Sequence, residues 1–468
     1  MVLNPSLSEE KGKLNIMKIT IHDPIYSQIE KSGIPLFRPL LSYISEYWKQ
    51  GPYRRERKTY EKSFMGKDGV FLTGFIPKIM GETEKHKIPL EWKGAIEYIE
   101  PTRETPRLKG VTFRPDQLSL ISTALDKQRG VLQAPPGIGK TILALGIMSC
   151  FEESDILFLC HEKTLINQTY DEMVAKGFDR KEISIIGGGS SEKNFNRITI
   201  AMMQTFKKYA EKTSNFFDIV FVDECHRAMA PDSTYYKILT SLCAPVRFGL
   251  TATLPNEQSH RLALEGLIGP VIDQLSIHEG VDLGLLAKPK IKIIKVPYSH
   301  AIRELRRYPD VYTAGVVNNK ARNSLLVVET LKLIQDGKTA LILVTKIEHG
   351  QNLKNIFNDR GHDIPFIWGQ TEGDERNQMK NALQRKNLKC IIASTVFSHG
   401  INIPSLGAVI NAAGEKSEVA TLQRIGRGLR KTDEKDEVII VDFLDLSHPY
   451  LVSHVAHRLE LYSNEGWL

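Results

Sequence analysis

The stretch Gly130-Val131-Leu132-Gln133-Ala134-Pro135-Pro136-Gly137-Ile138-Gly139-Lys140-Thr141-Ile142-Leu143-Ala144-Leu145-Gly146-Ile147 sets the fold class. It runs from a short apolar segment through a Gly- and Pro-rich turn into a helical apolar segment, and strand, turn, helix is the context a phosphate loop requires. Glycines at 137 and 139 permit torsions that aim successive N–H groups at an anion, and the N-terminus of the next helix adds partial positive charge. The expected lining of this loop is Pro136, Gly137, Ile138, Gly139, Lys140, Thr141 and Ile142. Lys140 has the reach for the outer phosphates of a nucleotide, and the Thr141 hydroxyl suits Mg2+.

A second apolar run ends in acids: Ile219-Val220-Phe221-Val222-Asp223-Glu224-Cys225-His226. Asp223 is expected to hold Mg2+ through its water shell, and Glu224 to orient and deprotonate a water attacking a γ-phosphate in line. Further apolar runs at Ile156–Leu159, Ile183–Ile186, Ile198–Ala201 and Arg247–Leu250, separated by crossover lengths, predict a parallel sheet covered on both faces. A second series, Ala340–Val344, Ile364–Ile367, Cys390–Ala393, Ala408–Asn411 and Val438–Val441, predicts a second α/β unit. Ahead of both, β-like pieces at Val70–Ile76 and Ala95–Ile99 are punctuated by Gly and Pro, and Pro101–Pro106 reads as a linker. The expected organisation is a small N-terminal accessory domain over 1–105, a first α/β domain with the nucleotide site over 106–285, a connector over 286–322 and a second α/β domain over 323–468.

The length of 468 residues excludes a single small binding module. No apolar run approaches the length needed to cross a bilayer, and Met1–Lys13 lacks the apolar core of a secretion signal. A cytoplasmic location is expected, the host cell's if the chain is phage-encoded. Five scattered cysteines show no metal-ligand spacing and read as reduced thiols. Net charge is +7, and most of the excess is N-terminal: 19 Lys+Arg against 14 Asp+Glu through Gly110, and 43 against 41 beyond it. Its densest part, Tyr53-Arg54-Arg55-Glu56-Arg57-Lys58-Thr59-Tyr60, makes Arg54, Arg55, Arg57 and Lys58 candidates for phosphate contact, beside the plainer reading of a solvated loop.

In the second α/β series, Gln423-Arg424-Ile425-Gly426-Arg427-Gly428-Leu429-Arg430 places Arg427 and Arg430 three apart, on one face if helical. Two guanidinium groups so spaced suit the concentrated charge of a phosphoryl transition state.

With these motifs in order, the chain resembles the superfamily-two helicases of the DExH type. Phe113-Arg114-Pro115-Asp116-Gln117 is similar to their adenine-side glutamine motif, Ala134–Thr141 to the first motif, Asp223–His226 to the second and Leu250-Thr251-Ala252-Thr253 to the third. Ile342–Thr345 lies near the fourth, Ser394–Pro404 resembles the fifth and Gln423–Arg430 the sixth. The compact core and Trp368-Gly369-Gln370-Thr371, with Arg376 following, most resemble the phage and bacterial branch-migration and fork-reversal DNA helicases.

The resemblance implies two tandem RecA-like domains, ATP and Mg2+ as cofactors, and DNA as partner, branched, forked or partly single-stranded. Other replication or recombination proteins are further candidate partners, no membrane is involved, and a monomer is expected. Arg114 and Gln117 would contact the adenine, Arg427 and Arg430 would be arginine fingers, and Gln423 would join them in catalysis. His226, Thr251 and Thr253 would couple hydrolysis to closure; His161, Thr205, Thr345 and Thr395 would touch nucleic acid. Gly400 and Asn402 would lie at the nucleotide, although the family normally has an acid where this chain has Asn402, which lacks the charge-assisted bond a carboxylate makes. The reaction implied is DNA-stimulated ATP hydrolysis driving unwinding or branch migration. A double-stranded DNA translocase, an RNA helicase and an ATP-switched clamp are the alternatives.

Overall fold

The computed structural model describes residues 16–50, 55–189, 194–227, 230–394, 405–416, 426, 431 and 435–468. These fall into two compact units, one of 1–133 and 141–274, the other of 134–140 and 275–468.

The first unit is built on a seven-stranded parallel sheet of order β13-β7-β12-β11-β8-β10-β9. Its strands are β7 (Arg129–Gln133), β8 (Ile156–Cys160), β9 (Ile183–Ile186), β10 (Ile198–Met202), β11 (Ile219–Asp223), β12 (Val246–Thr251) and β13 (Val271–Gln274). The central strands are buried along their whole length, as a sheet covered by helices on both faces requires. Register sets Thr251 beside Gln133 and Leu250 beside Asp223, so β7, β12 and β11 end side by side. The expected strands of this series are all present, and β13, which the pattern did not predict, closes one edge.

The N-terminal part adds a four-stranded sheet of order β5-β2-β1-β6, from β1 (Met17–Ile21), β2 (Tyr26–Ile29), β5 (Val70–Leu72) and β6 (Leu90–Lys93). A separate antiparallel ribbon joins β3 (Ser42–Gln50) to β4 (Arg55–Ser63), with nine residue pairs from Ser42↔Ser63 to Gln50↔Arg55. The apolar residues of this part, among them Phe37, Leu41, Phe71 and Phe75, belong to the same continuous core as Val131, Leu157 and Val222 of the α/β sheet. The fit is close: a Cβ on Gly74 would stand 2.3 Å from the Glu265 carbonyl oxygen. Lys78 pairs with Glu265 at 2.7 Å.

Two expected strands differ. Val70–Ile76 is strand only to Leu72 and then turns into helix, where Pro77 at the first turn suits helix entry. Ala95–Ile99 joins no sheet; the Gln128 carboxamide takes the place of a partner strand, accepting from the Ile99 N–H at 2.9 Å and donating to its carbonyl at 2.7 Å. The Pro-rich segment after it is pinned along the unit, with the Thr102 N–H donating to the Cys150 carbonyl at 2.8 Å.

The second unit has a six-stranded parallel sheet of order β14-β19-β18-β15-β17-β16. The strands are β14 (Lys288–Lys295), β15 (Ala340–Val344), β16 (Phe366–Ile367), β17 (Cys390–Ser394), β18 (Ala408–Asn411) and β19 (Glu437–Leu444). Part of the expected connector is therefore strand: β14 pairs with β19 over eight residues, and Pro289 is tolerated because β14 is an edge. Four cysteines are buried and Cys243 is half-buried, all as free thiols; burial pushes the Cys150 thiol up to about 11. No described helix is long and apolar enough to cross a membrane.

A titratable group lies in this second core. His349 is fully buried, its Nε2 bonded to Asn323 Oδ1 at 3.0 Å. Burial, reinforced by the Arg322 charge, pushes it down to about 3. The unfolded chain takes up this proton near the ordinary histidine value of about 6.5, so folding stability is lost as pH falls from there toward 3. Between pH 7 and 5 the loss from His349 is about 2 kcal/mol, and the half-buried His454, also shifted down, adds in the same sense. Urea unfolding of His349→Gln should decline less steeply with falling pH by that amount; parallel declines for variant and parent would contradict the assignment.

Candidate nucleotide-binding and hydrolysis site

The loop 134–139 joins the end of β7 to the helix Lys140–Met148. Gly137 and Gly139 have φ of +96° and +95°, torsions that side chains disfavour. The helix is apolar nearly all round and its residues from Leu143 to Met148 are buried, so its N-terminus is fixed against the sheet. No acidic residue occupies its first turn, which leaves the partial positive charge free for an anion. Lys140 Nζ folds back on the Ala134 carbonyl at 3.3 Å, within the loop.

At the end of β11, Glu224 adopts φ +47°, uncommon for a side-chain-bearing residue, and its N–H donates to Asp223 Oδ1 at 3.0 Å. The chain turns at once into the short helix Cys225–Arg227, which brings His226 back to the sheet edge. His226 Nδ1 lies 2.8 Å from Thr251 Oγ1 and 3.4 Å from Glu224 Oε2. The Thr251 hydroxyl donates to the Thr253 carbonyl at 2.7 Å. With that proton committed, Thr251 Oγ1 accepts from His226, which fixes the Nδ1–H tautomer and leaves Nε2 as the other functional nitrogen. The acidic pair and the Thr251-Ala252-Thr253 turn are thus joined through one buried imidazole. Burial, with the Asp223 charge adding, pushes the neighbouring Cys160 thiol well up and keeps it protonated.

Arg114 caps the helix Pro115–Lys127, its N–H donating to Gln117 Oε1 at 3.2 Å, and its guanidinium is held by both oxygens of Asp116 at 3.0 and 2.9 Å. Gln117 is buried. Phe113 packs on the phosphate-loop helix, since a Cβ on Gly146 would meet its ring at 2.9 Å. Asp116 was not singled out from the sequence, although its place between Arg114 and Gln117 was the available signal.

Other expected contact residues lie at strand ends. His161 follows β8, with Nε2 3.2 Å from Glu162 Oε1, and Thr205 sits in the helix Met203–Phe206 after β10. Beside Thr205, Gly187, Gly188 and Gly189 all have positive φ, a run that sequence reading missed. In the second unit Thr345 follows β15, and Ser394 ends β17 directly beside Val344. The hydroxyls of Thr345 and Ser394 are buried without a partner among the described residues. Lys58 is exposed on β4, and Arg55 and Arg57 occupy ribbon positions opposite Gln50 and Trp48. Arg54, Thr395, Gly400, Asn402, Gln423, Arg427 and Arg430 lie outside the described residues. Gly426 is described: within the unit that includes 134–140, a Cβ on it would stand 2.5 Å from Pro136 Cγ.

Thr141 and Asp223 offer one hydroxyl and one carboxylate, a donor set that fits Mg2+, which keeps several waters and shares phosphate oxygens. Among the described residues no cluster of three or more His, Cys, Asp or Glu could hold a metal by itself.

Comparisons with known proteins agree with this geometry. Residues 110–256 match the family model described as Type III restriction enzyme, res subunit, and residues 322–432 match Helicase conserved C-terminal domain. The ATP-dependent DNA helicase uvsW of Enterobacteria phage T4 is 24% identical over 75% of this chain and 74% of its own length. The DNA 3'-5' translocase XPB2 of Sulfurisphaera tokodaii is 26% identical over 71% of this chain and 82% of its own. Among solved structures, Dbp5 of S. cerevisiae bound to RNA and ADP BeF3 shares the fold, with TM-score 0.53 at 16% identity over 76% of this chain and 92% of that one. The two family models together span more than half of the chain, in the order in which the phosphate loop, acidic pair and arginine motif occur, and the chain belongs to the superfamily-two helicases.

Proposed function

We propose that the chain is an ATP-driven DNA motor that translocates on DNA and unwinds or branch-migrates forks and junctions. The observation that carries the reading is the His226 bridge. A catalytic carboxylate within 3.4 Å of an imidazole bonded to the Thr251-Ala252-Thr253 turn ties hydrolysis to backbone geometry next door. In this reading the 134–141 loop cradles the triphosphate with its N–H groups, Lys140 leaves the Ala134 carbonyl for the outer phosphates, and Arg114 and Gln117 face the base. Thr141 and Asp223 would hold Mg2+, which would draw negative charge off the phosphates. Glu224 takes the proton of the attacking water. Arg427 and Arg430 neutralise the developing charge, a role supported by the packing of the adjacent Gly426 on Pro136.

Loss of the γ-phosphate then releases the arginines, and the His226–Thr251 contact passes the change to the strand-end loops that hold nucleic acid. Those loops offer hydroxyls and backbone groups, which read phosphate and not base sequence. The relatives named DNA helicase and DNA translocase favour DNA over RNA as the track.

Four outcomes test this. Glu224→Gln should abolish multiple-turnover ATP hydrolysis, and Arg427→Ala should lower it at least about 100-fold while leaving nucleotide affinity largely unchanged. Near-normal turnover in the arginine variant would remove the fingers from the mechanism. Thr251→Val, which keeps shape but drops the hydroxyl, should leave ATP affinity within about 3-fold and reduce unwinding more than hydrolysis; equal reductions would dissociate Thr251 from coupling. On a panel of forked DNA, four-way junctions and RNA duplexes, strand displacement should appear on the first two. Duplex-stimulated hydrolysis without displacement identifies a translocase instead.

A further inference from the structure

The antiparallel ribbon of β3 and β4 has a root built into the first unit. Tyr43 is 9% exposed and its ring lies 5.5 Å from that of Phe64, which in turn lies 6.3 Å from Tyr236. The Ser42 hydroxyl donates to the Arg38 carbonyl at 2.7 Å, and Gln258 Nε2 donates to the Ser42 carbonyl at 3.4 Å. Tyr236 and Gln258 belong to the helices Thr234–Leu239 and Gln258–Leu267, which follow β11 and β12. The ribbon is thus seated on the elements that come after the acidic pair and the Thr251-Ala252-Thr253 turn.

Past the root both faces are open to solvent. Ile44 is 69% exposed, and Lys58, Thr59, Tyr60, Glu61 and Lys62 are all exposed. A two-stranded ribbon with no further strand beside it is marginal in water, so stability does not account for nine residue pairs.

Strand alternation sorts the ribbon's charges. Register sets Lys62 opposite Tyr43, Tyr60 opposite Ser45 and Lys58 opposite Tyr47, all on one face, whereas Glu61 opposite Ile44 and Thr59 opposite Glu46 fall on the other. The contiguous basic run of the sequence is divided by the same alternation: positions 55 and 57 share the register of Glu61, and Lys58 shares that of Lys62. On the first face the groups are tied together. Lys62 Nζ stands over the Tyr60 ring, 5.4 Å from its centre, and hydrogen bonds with the Ser45 and Lys62 side chains hold the Tyr60 hydroxyl below the ordinary tyrosine value.

A lysine on a merely solvated face keeps its rotamer freedom, and tethering it costs entropy that a bound partner recovers. With an ammonium over its ring, Tyr60 is not an open platform for base stacking. The face offers cations and hydroxyls instead, which suit phosphate oxygens. Lys58 and Lys62 are separated along β4 by about 13 Å, enough to span several phosphates of a duplex that carries one charge per about 1.7 Å. A two-stranded ribbon also has a width that the major groove admits.

We propose that the face of the ribbon carrying Lys58, Tyr60 and Lys62 is a grip for duplex DNA, separate from the strand-end loops, that holds the phosphate backbone without reading sequence. The inference rests on DNA as the track of the motor.

The test is equilibrium binding of the full chain to a fluorescent DNA duplex without ATP, repeated from about 0.05 to 0.3 M salt. DNA-stimulated ATP hydrolysis is measured alongside, and folding of each variant is checked by circular dichroism. Lys58→Gln and Lys62→Gln should each weaken binding about 5- to 10-fold near 0.1 M salt and lower the slope of log Kd against log salt by about 1. Lys58 stands apart from the Tyr60 contacts given above, so its variant removes charge without disturbing them. Glu61→Gln changes net charge by the same amount on the opposite face; combined with Lys62→Gln it restores the parental charge and should still bind as weakly as Lys62→Gln alone. Recovered affinity in that double variant, or parental slopes in both lysine variants while DNA still stimulates hydrolysis, overturns the ribbon grip and leaves the motor intact. Weakening confined to single-stranded DNA overturns the assignment to duplex. A parent chain that neither binds DNA nor hydrolyses ATP faster in its presence overturns the motor and the grip together.

Discussion

A parallel sheet buried on both faces has one place where polar groups from several strands converge on a ligand: the edge at which the strands end. In the first unit β7, β12 and β11 end in register, so the phosphate loop, the Thr251-Ala252-Thr253 turn and the acidic pair leave the sheet side by side. Their chemistry follows from that placement. Glu224 adopts a left-handed backbone because the chain must turn sharply once the strand has delivered Asp223, and the same turn brings His226 within reach of Thr251. The imidazole is 7% exposed, and its tautomer is set by one threonine proton already spent on a neighbouring carbonyl.

Much of this was legible in the sequence, because fully buried parallel strands write themselves as unbroken apolar runs. Ile183–Ile186, Ala340–Val344 and Ala408–Asn411 match their expected ends. Elements with weaker burial escaped. β14, Lys288–Lys295, alternates lysine with apolar residues as a half-exposed edge strand, and its proline and charge suggested a connector. Ala95–Ile99 has strand-like composition, but its partner is the Gln128 side chain, and no local pattern reveals a bond across 29 residues. The nucleotide motifs were readable because each depends on contiguous residues. The Arg458 contacts to Gly414 and Glu415 span more than 40 positions and involve no motif.

The buried arginines show how differently the two units use one side chain. In the first, Arg129 and Arg247 are buried and bind only carbonyls in the described contacts: Arg129 takes Leu267, Ile268 and Pro24, and Arg247 takes Leu239, Leu242, Ala244 and Leu267. Leu267 ends the helix Gln258–Leu267, where cations are favoured by the helix dipole. Burial pushes Arg247 down to about 10, and burial together with the Arg247 charge pushes Arg129 well below the ordinary arginine value. Arg129 also reaches the turn between β1 and β2, so it joins the N-terminal sheet to the α/β sheet through the same helix end. In the second unit Arg322 and Arg458 carry carboxylate partners, Asp445 and Asp442, which orient them while their remaining N–H groups hold a turn.

A buried oxygen without a hydrogen-bond partner costs about 1–3 kcal/mol and is seldom retained without compensation. Thr253 Oγ1, Thr345 Oγ1, Ser394 Oγ and Asn411 Oδ1 are four such atoms. Each lies within two residues of a strand's carboxyl end, on β12, β15, β17 and β18 respectively. In each unit these atoms lie at the carboxyl edge of the parallel sheet, the edge at which such sheets present their ligand-facing groups. A site whose hydroxyls already had protein partners would have to break those bonds in every cycle, whereas one with unmet bonds exchanges only water for phosphate oxygen.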